Sequence, residues 1–233
     1  MISVCIPTHN GSKYIIQQLD SILSQLNEED EIIVSDDASE DNTCELIEKL
    51  NDKRIIIFKE NKFPNYIFNY ENAINRTKGN YIFLCDQDDV WLPNKAEVMC
   101  RALIEYDLVV SDCFVTDSNL NIIHDSYYLI RKAIRNKFMA LALRSPYLGC
   151  CMAFNRKILN KALPFPKHIN YHDIWLGNIA AFYYSVNFIN DKLIYYRRHA
   201  GNISIMAGTS KISYFLRLKD RLMTSIQLLS RLL

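Results

Sequence analysis

No stretch of this 233-residue chain approaches the ~20 consecutive apolar residues that a membrane span requires, so no transmembrane helix is expected. The opening, MISVCIPTHN, lacks a basic leader followed by a long apolar core, so no secretory signal is expected either. An excess of one charge is missing: 27 Lys and Arg stand against 26 Asp and Glu, and nothing in that balance points to nucleic acid. The seven cysteines form no CxxC pair, and Cys150 and Cys151 are adjacent, a poor geometry for a bridge. They read as reduced core cysteines of a cytosolic protein. There is no internal repeat, low-complexity tract or Gly/Ser linker. Two phosphate-binding signatures are also absent. Without GxxxxGK[ST] the chain is not a P-loop NTPase, and without GxGxxG after the first apolar run a dinucleotide fold is disfavoured.

What is present is ordinary globular composition, 49% apolar and 23% charged. Short β-branched runs alternate with amphipathic ones. ISVCIPT (2–8), EIIVSDD (31–37), IIIFKE (55–60), NYIFLCDQ (80–87) and LVVSDCFV (108–115) read as strands. Between them, 12–26, 40–51, 65–78 and a segment from Pro93 to about Glu105 read as helices. The pattern predicts an α/β fold with a mostly parallel sheet flanked by helices on both faces. The second half is less regular: GCCMAF (149–154) and NFINDKLIYYRRH (187–199) read as strands and HDIWLGNIAAFYY (172–184) as a helix.

Ligands of parallel α/β sheets bind at the carboxyl ends of the strands. Three of those ends are polar here: Pro7-Thr8-His9-Asn10, Ser35-Asp36-Asp37-Ala38-Ser39 and Asp86-Gln87-Asp88-Asp89. The last puts three carboxylates within four residues of a core strand. They could cap the next helix, form an acid/base pair, or hold a divalent cation. Capping accounts for one Asp but not three, and oxygen-only ligands suit Mg²⁺ or Mn²⁺.

The segments ISVCIPTHNGSKYIIQQLDSILSQ, EIIVSDDASEDNT, GNYIFLCDQDDVWLPNK, LGCCMAF, HDIWL and YRRHAGNIS, in that order over about residues 2–205, resemble the GT-A-fold glycosyltransferases of glycosyltransferase family 2. DQDDVWLPNK with HDIWL and YRRH-x-GN is most similar to the bacterial rhamnosyltransferase-like branch that builds surface polysaccharides such as O-antigen or capsule. The resemblance implies an inverting, metal-dependent transfer of a hexosyl or rhamnosyl group from a UDP- or dTDP-linked sugar to a saccharide or polyprenyl-diphosphate-linked acceptor. It implies a domain over 1–205, with a nucleotide-sugar half (1–117) and an acceptor half (118–205), followed by a segment 206–233.

By matching position, Pro7, Thr8, Asn10, Asp36 and Asp37 are expected at the nucleotide base. Asp88 is expected to bind Mn²⁺ or Mg²⁺, with Asp86 beside the ribose or the metal and His199 near the metal or phosphate. Asp89 would lie behind them or cap the following helix. Asp173 matches the general base, which must be ionised near neutral pH to take the acceptor proton. His172 stands where the family usually has Glu, and is either packed or facing the acceptor. Arg197 and Arg198 could complement a diphosphate. Trp91 and Trp175 could stack on sugars or pack in the core.

The segment 211–233 has Ile212, Phe215, Leu216, Leu222, Met223, Ile226, Leu229 and Leu233 at helical spacing, with Arg217, Arg221 and Arg231 opposite and Lys219 out of pattern. It predicts packing on the domain, a homodimer contact, or peripheral attachment to the inner face of the plasma membrane. Two other readings are weaker. A sugar-phosphate nucleotidyltransferase would show a Gly-rich first loop with Arg and Lys, unlike PTHNGSKY. A non-catalytic nucleotide-sugar-binding relative would not need Asp86, Asp88 and Asp173.

Overall fold

The computed structural model describes residues 1–59, 62–202 and 214–231, with side chains in the last stretch from Arg221 onward. β1 (Ile2–Thr8), β2 (Glu31–Asp36), β3 (Ile55–Phe58) and β4 (Tyr81–Leu84) pair in parallel in the order β3-β2-β1-β4. β2 is buried throughout and β1 everywhere but Pro7, as continuous apolar strands between two helical layers must be. β8 (Met152–Asn155) runs antiparallel between β4 and β6 (Leu108–Thr116). β9 (Val186–Arg197) continues parallel to β6, and β5 (Val90–Trp91) closes the edge against it. β7 (Ile122–His124) pairs only with β6. Among the described residues, six of the nine strands therefore point the same way, and β5, β7 and β8 run against them.

Side-chain alternation splits the core in two. On one face Val4, Ile6 and Val34 meet α1 (Ile15–Leu23), α2 (Thr43–Lys49) and α4 (Lys95–Leu103). On the other, Cys5, Ile33 and Leu84 meet α3 (Tyr66–Asn75), α7 (Leu159–Ala162) and α8 (His172–Tyr183). Two short helices, α5 (Tyr127–Arg131) and α6 (Lys137–Ala142), follow β7.

Some predicted elements differ. The strand expected over 80–87 stops at Leu84, which frees Asp86 to Asp89 from the ladder. The strand expected over 149–154 begins only at Met152, because Gly149–Cys151 form a 3₁₀ turn whose first N–H is drawn to Asp173. The boundary at 205/206, Ile212, Leu233 and the start of the helix predicted from 211 lie outside the described residues; α9 spans Tyr214–Ser230. It packs on the domain through buried Leu228 and the Arg231 carbonyl, which accepts from Lys161 at 2.7 Å. Among the described residues, no helix is long and apolar enough to cross a membrane.

Candidate active site

The parallel register sets Thr8 beside Asp36 at the carboxyl edge of β1 and β2. Thr8 Oγ1 donates to Asp36 Oδ2 at 2.7 Å, and Ser39 adds its N–H (2.8 Å) and its hydroxyl (2.6 Å) to the same carboxylate. Asp36 is buried and its charge is absorbed by the turn it organises. Asn10 lies at φ 49°, in the left-handed region that Asn tolerates, and its Oδ1 accepts the Glu40 N–H at 2.8 Å. Asp37 donates its N–H to the Thr8 carbonyl at 2.9 Å and accepts the Phe63 N–H at 2.9 Å. Pro7 is half-buried in β1. The five residues expected at the base thus lie at one edge, and Asp36 and Asn10 brace the two loops.

A reciprocal amide bridge joins this corner to the next strand end. Gln87 Oε1 accepts the His9 N–H and Gln87 Nε2 donates to the His9 carbonyl, each at 3.0 Å. A Cβ on Gly11 would lie 2.3 Å from Gln87 Oε1, so only glycine leaves room for the bridge.

At the end of β4 the carboxylates lack such saturation. The Tyr70 hydroxyl lies between the Asp86 carboxylate and the Cys85 carbonyl, and its one proton can serve only one of them. Burial, and then the charge of Asp88, pushes the Asp86 carboxyl up to about 7. Asp88 Oδ2 accepts from Asn202 Nδ2 at 2.9 Å and lies 2.7 Å from His199 Nε2. Asp89 is fully buried; its Oδ1 accepts the Arg197 N–H at 2.9 Å, and among the described residues its Oδ2 meets no N–H or O–H donor, with only the weakly donating Cys150 thiol beside the carboxylate. Burial, and then the charges of Asp88 and Asp86, pushes its carboxyl well up.

Ligand atoms of Asp86, Asp89 and Cys150 lie within 4.8 Å of one another. Two crowded carboxyls held above their usual range and one orphaned oxygen form an acidic centre short of positive charge, which a divalent cation fits. The expected set was Asp86, Asp88 and His199; here Asp88 and His199 face each other, and Asp89 takes a place in the convergent group.

Arg197 is not available to a diphosphate. Its Nε donates to the Asp88 carbonyl (2.6 Å), Nη1 to the Ser118 carbonyl (2.7 Å) and Nη2 to Gln17 Oε1 (2.6 Å), and the guanidinium covers the Tyr14 ring. It is buried and acts as a clamp. Arg198 is half-buried, with Nη1 donating to the Tyr196 hydroxyl at 2.9 Å. Neither tryptophan offers a face to a sugar. Trp91 packs on Phe83 beneath the sheet, and Trp175 donates its indole N–H to the Ala162 carbonyl at 2.9 Å from within the core.

Asp173 stands in the first turn of α8, on the same sheet face as α3. Its Oδ2 accepts the Gly149 N–H at 3.2 Å and its Oδ1 the Ile174 N–H at 2.7 Å. Burial pushes the carboxyl up to about 6 against these two bonds. Its charge also helps raise Asp86, so the two carboxylates share one electrostatic environment. His172 is buried, stacked on Tyr70 at 3.7 Å between ring centroids, with no partner for either ring nitrogen. Burial holds it down to about 3, so it is neutral, and it is packed rather than facing outward. A Cβ on Gly149 would come within 2.9 Å of its Nε2.

Sequence reasoning missed Tyr70, Gln87, Asn202 and Lys95. Lys95 is wholly buried, donating to the Cys150 carbonyl at 3.2 Å behind the acidic centre. Gln87 and Lys95, inside DQDDVWLPNK, and Asn202, inside YRRHAGN, carried a signal; Tyr70 carried none.

The chain is similar in sequence and in fold to known glycosyltransferases. The chain is 26% identical over 221 residues to the Escherichia coli UDP-Glc:alpha-D-GlcNAc-diphosphoundecaprenol beta-1,3-glucosyltransferase WfaP, covering 88% of this chain and 80% of that protein. Its fold is similar to that of S. aureus TarS 1–349 in complex with UDP-GlcNAc, with a TM-score of 0.73 at 18% identity over 97% of this chain and 66% of that one. The mannosyltransferase PcManGT from Pyrobaculum calidifontis, in complex with GDP-Man and Mn²⁺, gives a TM-score of 0.62 at 17% identity over 99% and 63%. The chain thus spans about two thirds of these solved chains. The profile of Glycosyl transferase family 2 matches residues 3–163, more than half of the chain, and the protein belongs to that family.

Proposed function

We propose that this protein transfers a hexosyl or rhamnosyl group, with inversion, from a UDP- or dTDP-linked sugar to a saccharide or polyprenyl-diphosphate-linked acceptor in bacterial surface polysaccharide synthesis. The observation that carries the proposal is the convergence of two desolvated carboxyl groups, Asp86 after β4 and Asp173 at the start of α8, within electrostatic reach of each other and linked through Tyr70 and His172. The name of WfaP supports a UDP-sugar donor and a lipid-linked acceptor. The UDP-GlcNAc complex of TarS supports the same donor class.

Thr8 and Asp37 border the space for the base, on loops braced by Asp36 and Asn10. Asp86, Asp88 and Asp89 would hold Mn²⁺ or Mg²⁺, which supplies positive charge to the leaving diphosphate when bound; the Mn²⁺ in PcManGT supports this. Asp173 accepts the proton of the attacking acceptor hydroxyl. Its carboxyl, held near 6, is mostly ionised at neutral pH yet more basic than a solvated Asp. His172 and Tyr70 stack between Asp173 and Asp86 and hold the two at fixed separation. With a polyprenyl-linked acceptor the reaction takes place at the inner face of the plasma membrane.

Calorimetric titration with UDP and dTDP, with and without Mn²⁺, tests the donor site. Binding that strengthens with Mn²⁺ and loses that gain in Asp88→Ala is the expected result. A folded protein that binds neither nucleotide would defeat the proposal.

A further inference from the structure

Residues 126–172 contain nine Lys and Arg and no Asp or Glu, in a chain whose 27 Lys and Arg and 26 Asp and Glu nearly balance as a whole. This stretch includes α5 and α6, which present apolar side chains to solvent: Leu129 is 78% exposed, Phe138 64% and Leu143 52%. Lys132, Arg135, Lys137 and Arg144 are exposed among them. Arg221 of α9 donates to the Leu143 carbonyl, so the outer stripe of α9 joins the same surface. That stripe is Leu222, Ile226 and Leu229, at i, i+4 and i+7, all more than half exposed, while Leu228 turns into the core.

Large apolar groups left in water on adjacent helices mark an interaction surface. Cations set among them select the partner. A second copy docked by two-fold symmetry would place this patch on itself and oppose its own unbalanced positive charges. An anionic lipid surface takes both components at once, the apolar tips at the acyl boundary and the cations at the headgroups. We propose that α5, α6 and the outer face of α9 dock this protein on an anionic phospholipid bilayer.

The position of the patch gives the docking a consequence. Tyr127 and Arg131 of α5 lie within electrostatic reach of the Asp173 carboxyl. A bilayer under α5 therefore lies beside the residue that would deprotonate the acceptor, where a lipid-linked acceptor would project. This consequence rests on the proposed function; the docking itself does not.

Flotation of the full chain with phosphatidylcholine vesicles, and with the same vesicles containing phosphatidylglycerol, tests the docking, with no nucleotide or acceptor present. We expect an enrichment of at least roughly 10²-fold on the anionic vesicles, since each cation at the surface contributes about fivefold, reduced by high salt. Lys132→Gln with Arg144→Gln should weaken it by about fivefold per charge removed. Leu129→Asp with Leu143→Asp should abolish most of it. Nucleotide binding should be unchanged in all of these variants, so the donor site is scored separately from the membrane. Equal flotation on both vesicle types, or equal flotation by wild type and the Leu129→Asp/Leu143→Asp variant, would overturn the proposal. So would a dimer in sedimentation velocity that Leu129→Asp dissociates, since the patch would then belong to a second copy.

Discussion

Two strand ends on either side of β1 carry clustered carboxylates and treat them in opposite ways. At the end of β2, Asp36 is met by the Thr8 hydroxyl and by two donors of Ser39. At the end of β4, Asp86 and Asp89 are crowded by Asp88 and pushed up by burial, and among the described residues one Asp89 oxygen has no N–H or O–H donor. The residue type is the same and the sheet edge is the same. What differs is the supply of hydrogen-bond donors. A carboxylate with its donors built in is a structural brace, whereas one kept short of them is left with demand for an external positive charge.

The strongest way to break this contrast is through the carboxyl group that converges on the β4 end. Asp173→Asn should lower kcat by roughly 10²–10⁴-fold, the usual contribution of a positioned base, without lowering the melting temperature. The second part follows because removal of a desolvated charge offsets the one backbone N–H, of Gly149 or Ile174, that the amide can no longer accept; single-turnover kinetics and calorimetric melting read the two parts. Next, Asp88→Ala should remove at least about tenfold of the Mn²⁺-dependent gain in nucleotide affinity. Asp36→Ala should behave in the opposite manner. It strands the Ser39 N–H and should cost about 1–3 kcal/mol in urea unfolding, with the Mn²⁺ dependence retained. If Asp36→Ala abolished the metal response while leaving stability intact, the contrast between the two ends would collapse.

Smaller effects sharpen it. Gly149→Ala should cost about 1–3 kcal/mol, because the new methyl must displace the buried His172 ring. It should lower kcat more than it raises KM, since the shift moves Asp173. The pH profile should be smallest in magnitude. The folded Asp173 carboxyl titrates near 6, above its unfolded value, so kcat/KM should rise with pH and level off above about 6. The same shift has the folded state binding more protons than the unfolded state between the two values. Asp173 therefore favours folding below that window, and this stability is lost as pH rises through about 6. An activity profile flat from pH 5 to 8 would remove Asp173 from the proton transfer.

The fold was legible because buried parallel strands announce themselves as β-branched runs, and the helices between them as apolar repeats. The acidic strand ends were legible as motifs. What each polar group is engaged with was not. Arg197 read as a diphosphate ligand, but its partners are Gln17, the Asp88 carbonyl and Ser118, the nearest of them 79 residues away. Trp91 and Trp175 lie in motifs that border the site, and only packing decides that both face inward. β8 could not be placed between β4 and β6 from its own four residues, since that pairing is decided by the neighbours it meets. Tyr70 sits on an ordinary apolar helix face, and nothing local marks its hydroxyl as the partner of Asp86.

The clamp made by Arg197 also orders events during synthesis. Its N–H and its guanidinium hold the Asp88–Asp89 turn from 108 and 109 residues downstream. At about 5–20 residues per second, a ribosome delivers that arginine roughly 5–20 s after the aspartates. During that interval the nucleotide-side strands already exist, but the acidic turn has neither its clamp nor the β9 edge beside it. A nascent chain that ended before Arg197 would carry the whole acidic motif and still lack the clamp that holds its turn.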